Sequence, residues 1–158
     1  MATAHLIFGR LGVGKTTLAK RLEDEHDAVR FSHDAWMARL FGEDSDAALF
    51  ADRHARVAAL MMPVWSRCLV LGLDVVLDFG FWRRAERDAV RGQAEAVGAG
   101  HRLYEVVCPE AVAWRRIEAR NADLQDALLI TRPTFEALRS RVEPLESDEV
   151  RETIETGG

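Results

Sequence analysis

One glycine-rich segment near the start of the chain constrains the fold more than any other feature. Residues 9–16 read Gly-Arg-Leu-Gly-Val-Gly-Lys-Thr and match the pattern G-x-x-x-x-G-K-[ST] at every fixed position. The short apolar run Leu6-Ile7-Phe8 precedes the segment, and Leu18 and Leu22 follow it with the four-residue spacing of one helix face. The segment therefore predicts a loop between a buried strand and a helix, where backbone N–H groups can surround a polyphosphate.

Each residue type in this loop, which we call the phosphate loop, has a physical role. The glycines allow backbone conformations that a side chain would forbid. Lys15, one of only two lysines in the chain, would place a cation at the β- and γ-phosphates, and the Thr16 hydroxyl would ligate Mg²⁺. The alternative is an ordinary glycine-rich turn that binds nothing. The residues predicted to bind a nucleoside triphosphate are Gly9, Arg10, Leu11, Gly12, Val13, Gly14, Lys15, Thr16 and Thr17.

Composition limits the classes of function that the chain can have. Its 158 residues suit one domain, and its 48% hydrophobic and 30% charged residues are ordinary for a soluble protein. A net charge of −5 does not indicate a long nucleic-acid surface. Without a signal-peptide pattern or an apolar stretch of 18 residues, we expect a cytoplasmic protein with no membrane partner. We expect Cys68 and Cys108 to be two reduced thiols.

Strands and helices alternate along the whole chain, which predicts an α/β layered sheet with right-handed crossovers in a single domain, 1–158. We expect Pro63 to kink or break the long third helix, and the acidic turn 43–46 to cap its start. The predicted strands are 4–8, 28–32, 75–78 and 103–107, with a polar edge strand within 148–156. The predicted helices are 17–24, 33–41, 47–71, 83–97, 109–120 and 133–142.

Two aspartates follow predicted strands, at the edge where open α/β sheets bind ligands. Asp34, in Ser32-His33-Asp34, could orient and deprotonate a substrate hydroxyl facing a γ-phosphate. Alternatively, Asp34 only caps the helix that begins beside it. Asp78 ends the third strand, where an acid can hold Mg²⁺ through water, or it begins a turn with Gly80.

Aromatic and arginine side chains follow the third strand in the segment Phe79-Gly80-Phe81-Trp82-Arg83-Arg84. The rings could pack against an acceptor substrate, and the guanidinium groups could bind its anionic groups. Core packing and surface ion pairs are an equally good explanation. The residues predicted to bind the acceptor are Asp34, Arg53, Phe81, Trp82, Arg84 and Arg87.

Three arginines lie on the predicted helix after the fourth strand. Arg116 and Arg120 are four residues apart, so both can point the same way and neutralise the charge of a transferred phosphoryl group. The sequence Asn121-Ala122-Asp123 would end this helix as the hinge of a lid at about 115–132. The alternative is a solvated basic face that pairs with Glu118, which we prefer for Arg115.

Three segments together resemble a known group of enzymes: the phosphate loop with Ser32-His33-Asp34, residues 75–87 (VVLDFGFWRRAER) and residues 107–120 (VCPEAVAWRRIEAR). They are similar to the small P-loop kinases related to zeta toxins and chloramphenicol phosphotransferases, many of which are labelled AAA family ATPases. A looser resemblance extends to the kinase domain of polynucleotide kinases. The loop lacks the serine-rich sequence usual in chloramphenicol phosphotransferases, and the chain is much shorter than a zeta toxin.

This resemblance implies a three-layer fold like that of nucleoside monophosphate kinases, with five parallel strands in the order 2-3-1-4-5 and a short lid. It implies ATP and Mg²⁺ as cofactors and a small-molecule hydroxyl as acceptor. It places the base for the acceptor at Asp34 and the phosphate contacts of the lid at Arg116 and Arg120. With Lys15 from the phosphate loop these are the predicted catalytic residues, and the predicted metal ligands are Thr16 and, through water, Asp78. The alternatives are a polynucleotide 5′-hydroxyl kinase, which the negative charge disfavours, and a nucleotide-dependent regulatory ATPase without an acceptor.

Overall fold

The computed structural model describes residues 1–42, 47–124 and 129–157, and within them five strands form one parallel sheet. The strand order is β2-β3-β1-β4-β5, which confirms the predicted order and the edge strand near the C-terminus. The strands are β1 (Thr3–Phe8), β2 (Val29–Ser32), β3 (Val75–Gly80), β4 (Gly100–Val107) and β5 (Glu152–Glu155).

The helices fall close to their predicted positions, with one difference. Helix α3 continues through Pro63, so of the predicted kink or break the break does not occur. Buried Val57, Met61, Trp65 and Leu69 lie on one face of α3, so packing on both sides of the proline stabilises a single helix. The predicted acidic turn 43–46 lies outside the described residues. The helices are α1 (Lys15–His26), α2 (His33–Phe41), α3 (Ala47–Val70), α4 (Arg84–Ala96), α5 (Glu110–Ala122) and α6 (Arg132–Arg139).

Alternate residues of the central strands pack against different helices, as the two-residue period of a strand requires. Leu6 and Leu77 belong to the core that α3 covers. Their neighbours Ile7 and Val76 belong to the core that α1 covers through Leu18 and Leu22. Helices therefore lie on both faces of the sheet, which confirms the predicted three-layer architecture.

The parallel register brings the carboxyl ends of the strands to one edge of the sheet. Ser32 on β2 pairs with Asp78 on β3, and Phe8 on β1 pairs with Gly80. The phosphate loop follows Phe8 directly, so the loop, Asp78 and the start of α2 lie at the same edge. Among the described residues, no helix combines the length and the apolar character needed to cross a bilayer.

Candidate active site

The phosphate loop takes the backbone form that its glycines allow. Gly12 has φ of 75° and Gly14 has φ of 102°, both in the left-handed region. A Cβ atom on Gly12 would lie 2.5 Å from the Ala113 carbonyl oxygen, so the loop also packs closely against α5. Gly14 is the N-cap of α1 and has no side chain to bond the first N–H groups of the helix. Those groups therefore stay available to an anion.

The base of the loop is fastened to the segment after β3. The Gly9 N–H donates to the Gly80 carbonyl at 3.3 Å, and the Trp82 indole N–H donates to the Gly9 carbonyl at 3.0 Å. The hydrogen bond from the Trp82 indole therefore holds the phosphate loop against the end of β3 and fixes the orientation of the Trp82 ring.

Lys15, Thr16 and Asp78 form the centre of the site. The Lys15 ammonium donates to the Arg10 carbonyl at 2.7 Å, and the Thr16 hydroxyl donates to Asp78 Oδ2 at 3.0 Å. Burial raises the pKa of Asp78, and the Lys15 charge opposes that shift. Burial lowers the pKa of Lys15, and the Asp78 and Asp34 carboxylates oppose that shift. A hydroxyl beside a buried carboxylate is a donor set that suits Mg²⁺, as the sequence predicted.

Asp34 lies beside this cluster and does not cap α2. The cap is Ser32, whose hydroxyl accepts from the Ala35 N–H at 3.3 Å. Asp34 stands in the first turn of α2 with an exposed side chain. It follows Ser32, the β2 partner of Asp78, by two residues. Its negative charge opposes the lowering of the Lys15 pKa by burial and adds to the raising of the Asp78 pKa by burial, so its carboxylate lies within electrostatic reach of both groups. The capping alternative for Asp34 is thereby removed.

Two stacked histidines next to Asp34 were not predicted as a pair. The rings of His33 and His54 have centroids 3.7 Å apart, and His33 Nε2 lies 3.0 Å from the His54 carbonyl oxygen. Burial lowers the pKa of His33 to about 4. Burial also lowers the pKa of His54, and the negative charges of Glu86 and Asp34 oppose that second shift. Both rings are therefore neutral near pH 7. The buried stripe of α3 begins at Val57, and His54 lies three residues before it, on the same face of the helix. This helical spacing is the signal in the sequence that places His54 on the face of α3 toward the core.

The two predicted phosphate-binding arginines differ in their surroundings. Arg116 Nη1 donates to the Thr156 hydroxyl at 2.9 Å and approaches the Gly12 carbonyl at 3.4 Å, so this side chain is held against the loop. Arg120 Nε is buried and has no hydrogen-bond partner within the described part of the chain. Burial is the main cause of the lowered pKa of Lys15, and the positive charge of Arg120 adds to it.

The predicted hinge after α5 is tied rather than open. The Asn121 side chain donates to the Ile130 carbonyl at 2.6 Å and accepts from the Ile130 N–H at 3.1 Å. This pair of hydrogen bonds joins the end of α5 to Ile130, which lies two residues before α6. Residues 125–128 of the predicted lid, 115–132, lie outside the described residues.

Four of the predicted acceptor residues are buried or have partners within the chain. Phe81 is 2% exposed. Arg87 is fully buried, with two bonds to the Glu149 carboxylate at 2.8 Å and one to the Phe81 carbonyl at 2.9 Å. Arg84 binds Asp88 and Asp148. Trp82 donates to the Gly9 carbonyl. The structure therefore shows partners within the chain for Trp82, Arg84 and Arg87 and burial for Phe81, while their binding of an acceptor stays a prediction.

Arg53 remains beside the site. It stands on α3 next to His54, and its guanidinium lies 4.5 Å from the centroid of the Phe41 ring, at the end of α2. This contact keeps a cation between the two helices that flank Asp34.

Comparison with known proteins supports this reading of the fold. The family model of the AAA domain matches residues 5–145. A solved structure from Chloroflexus aurantiacus, described provisionally as a kinase, has a TM-score of 0.77 and 19% identity, covering 98% of this chain and 88% of that chain. Kti12 of Chaetomium thermophilum, solved with ADP-AlF3, has a TM-score of 0.68 and 16% identity, covering 97% and 88%.

A gluconokinase from Sinorhizobium meliloti is similar as well, with a TM-score of 0.66 and 14% identity, covering 97% of this chain and 82% of that chain. No curated protein matches the sequence. At these identities the structural similarities show the fold alone, whereas the family match extends over most of the chain. The chain therefore belongs to the AAA domain family and has the fold of the P-loop kinases.

Proposed function

We propose that this protein is an ATP-dependent phosphotransferase that moves the γ-phosphate of ATP to a hydroxyl group of a small molecule. The observation that carries the proposal is the position of Asp34. This carboxylate is exposed, is not used as a helix cap and lies within electrostatic reach of Lys15 and Asp78. A protein that only bound a nucleotide would not need a second carboxylate there.

The phosphate loop would bind the donor through its N–H groups and through Lys15. The Lys15 ammonium now bonds the Arg10 carbonyl, and it would exchange that neutral partner for anionic phosphate oxygens. Mg²⁺, held by Thr16 and through water by Asp78, would neutralise charge on the β- and γ-phosphates. Arg120, near Lys15 and without a partner on Nε among the described residues, would neutralise charge that develops on the transferred group.

Asp34 would act on the acceptor. It would accept the hydroxyl proton as the acceptor oxygen forms its bond to the γ-phosphorus, while the bond from that phosphorus to the β-bridging oxygen breaks and ADP leaves. His54, on α3, lies within electrostatic reach of Asp34, so a neutral imidazole lies near this position. The neighbouring Arg53 places a cation farther along α2, over the Phe41 ring. We therefore expect an acceptor with several hydroxyl groups and an anionic group, a chemistry that the name of the similar gluconokinase also describes.

The second candidate function is a nucleotide-dependent regulatory ATPase in which water is the acceptor. Kti12 has this fold and binds ADP-AlF3, so the fold alone does not separate the two functions. Asp34 supports the phosphotransferase as a candidate base for an acceptor hydroxyl, and the assay below separates the two functions.

The test compares Asp34→Asn with the wild type in an assay for radiolabelled γ-phosphate transfer to a panel of sugars, sugar acids and nucleosides. We expect transfer to fall about 10²- to 10⁴-fold, the range for loss of a general base, with nucleotide affinity retained. Lys15→Ala should lose nucleotide binding itself. Asp52→Asn is the matched control, because Asp52 is exposed on α3 and pairs only with Arg56 among the described residues. If no compound gains phosphate and Asp34→Asn hydrolyses ATP at the wild-type rate, the regulatory function replaces the proposed one.

A further inference from the structure

Three side chains that can ligate a metal meet at the edge of the sheet opposite the phosphate loop. His5 lies on β1, Asp74 lies immediately before β3, and His26 is the last residue of α1. One ligand atom from each lies within 4.8 Å of the others. His5 Nε2 is 3.2 Å from Asp74 Oδ2, and His26 Nδ1 is 4.0 Å from the same oxygen. No ion is present, and the proposed function does not use any of the three groups.

We propose that His5, His26 and Asp74 form a binding site for a divalent transition-metal cation, of which Zn²⁺ is the best fit. Zinc bonds to nitrogen and carboxylate oxygen at about 2.0–2.2 Å in a tetrahedron, so its ligand atoms stand roughly 3.3 Å apart. The observed separations of 3.2 and 4.0 Å bracket that value. Two imidazoles and one carboxylate, with water in the fourth position, form a donor set that zinc uses elsewhere.

Hydrogen bonds already orient two of the three ligands. His5 Nδ1 lies 3.0 Å from the Tyr104 hydroxyl oxygen, to which it can donate its proton and so leave Nε2 free to bind a cation. Asp74 Oδ1 accepts from the Thr3 N–H at 2.8 Å, which leaves Oδ2 facing the two histidines. Outer contacts of this kind fix the orientation of metal ligands in known sites.

The third ligand is brought to the site by the end of a helix. Asp27, with φ of 48°, ends α1 in a left-handed turn, and the His26 ring lies 4.4 Å from the His5 ring between centroids. The carbonyl groups at the end of this helix favour a cation.

The geometry permits entry of an ion and separates the site from the nucleotide. The side chains of His26 and Asp74 are 34% and 22% exposed, so a hydrated ion can reach them. His26 stands 11 residues along α1 from Lys15, roughly 16 Å at 1.5 Å per residue. A bound ion would join the end of α1 to β1 and β3, and would therefore hold the helix that carries Lys15 and Thr16 at its start.

Equilibrium dialysis of the purified full chain against zinc chloride tests the site, with excess Mg²⁺ to occupy the Thr16–Asp78 centre. We expect the wild type to bind one Zn²⁺ per chain and His26→Ala to bind it at least about tenfold more weakly. Tyr104→Phe should lower affinity about 10- to 100-fold, because it removes only the group that orients His5. The matched control is His101→Ala, which removes a half-buried histidine that pairs with Glu95 outside the cluster.

Two further measurements separate a metal site from a purely structural hydrogen-bond network. Co²⁺ should give the visible absorption of four-coordinate cobalt with the wild type and lose it with His26→Ala. Zn²⁺ should raise the thermal midpoint of the wild type and of His101→Ala but not that of His26→Ala. The proposal is overturned if the wild type does not bind one Zn²⁺ per chain. It is also overturned if His26→Ala binds Zn²⁺ as tightly as the wild type and the control His101→Ala do. None of these readouts depends on phosphoryl transfer, so failure here leaves the proposed function intact.

Discussion

The buried ion pair between Arg87 and Glu149 gives the most quantitative prediction about stability. The Arg87 side chain is completely buried and that of Glu149 is 1% exposed, and two hydrogen bonds of 2.8 Å join them. Arg91 donates a third bond to the same carboxylate at 2.9 Å. In Glu149→Gln, Arg87 keeps its charge in the interior without a counter-charge, a change that typically costs about 3–5 kcal/mol.

The lowered pKa of Glu149 gives a second value for the free energy that this ion pair contributes to folding. Burial alone would raise the pKa of Glu149, but hydrogen bonds from Arg87, the Glu146 N–H and Arg91 outweigh it and lower the pKa from 4.5 to about 2. At about 1.4 kcal/mol for each pH unit, that difference contributes about 3 kcal/mol to folding. Because the pKa is lower in the folded state, this contribution is complete above about pH 4.5 and is lost as the pH falls toward 2.

Urea denaturation of the wild type and Glu149→Gln at pH 7 measures the effect. With a slope of about 2 kcal/mol/M, a loss of 3–5 kcal/mol lowers the midpoint by roughly 1.5–2.5 M. The difference between the two proteins should shrink as the pH is lowered from 4.5 toward 2. Glu146→Gln is the control, since Glu146 is 69% exposed and its pairing with Arg84 should contribute less than about 1 kcal/mol. A loss below about 1 kcal/mol for Glu149→Gln, or a difference independent of pH, would refute the reasoning.

Two other predictions follow from single contacts. Thr156→Val removes the hydroxyl that accepts from Arg116 and donates to the Val13 carbonyl. We therefore expect weaker nucleotide binding by titration calorimetry, with a thermal midpoint close to that of the wild type. An unchanged nucleotide affinity would contradict this role of Thr156. His33 has a pKa of about 4 in the folded state against 6.5 unfolded, so stability should fall by up to about 3 kcal/mol as the pH drops from 6.5 to 4. His33→Gln should show a smaller fall over the same window in urea titrations, and an equal fall would assign the effect to other groups.

The parts of the site that depend on local sequence could be predicted. The phosphate loop and its helix are contiguous, and their backbone requirements are visible in Gly12, Gly14 and Lys15. The alternation of apolar runs and helical patterns also determined the class of sheet, and the resemblance supplied its strand order. Asp78 was predictable because a parallel strand must end at the ligand-binding edge.

The remaining parts depend on pairings between distant residues, which spacing does not reveal. Arg87 and Glu149 are 62 positions apart, and nothing local distinguishes an arginine that binds a substrate from one that meets a buried carboxylate. The predicted break at Pro63 does not occur for a related reason, because the packing of both halves of α3 outweighs the lost backbone hydrogen bond. The sequence also could not show that Ser32, and not Asp34, caps α2, because this depends on which side chain accepts from the Ala35 N–H.

The Arg87 pair also explains how the C-terminal segment enters the active site. Glu149 anchors this segment beneath α4, and β5 then pairs with β4 and delivers Thr156 to the Val13 carbonyl. Thr156 in turn holds Arg116 against the phosphate loop. Arg87 therefore has a structural role that the sequence did not predict, because its carboxylate partner lies in the segment that leads to β5 and to the contacts of Thr156 with the phosphate loop.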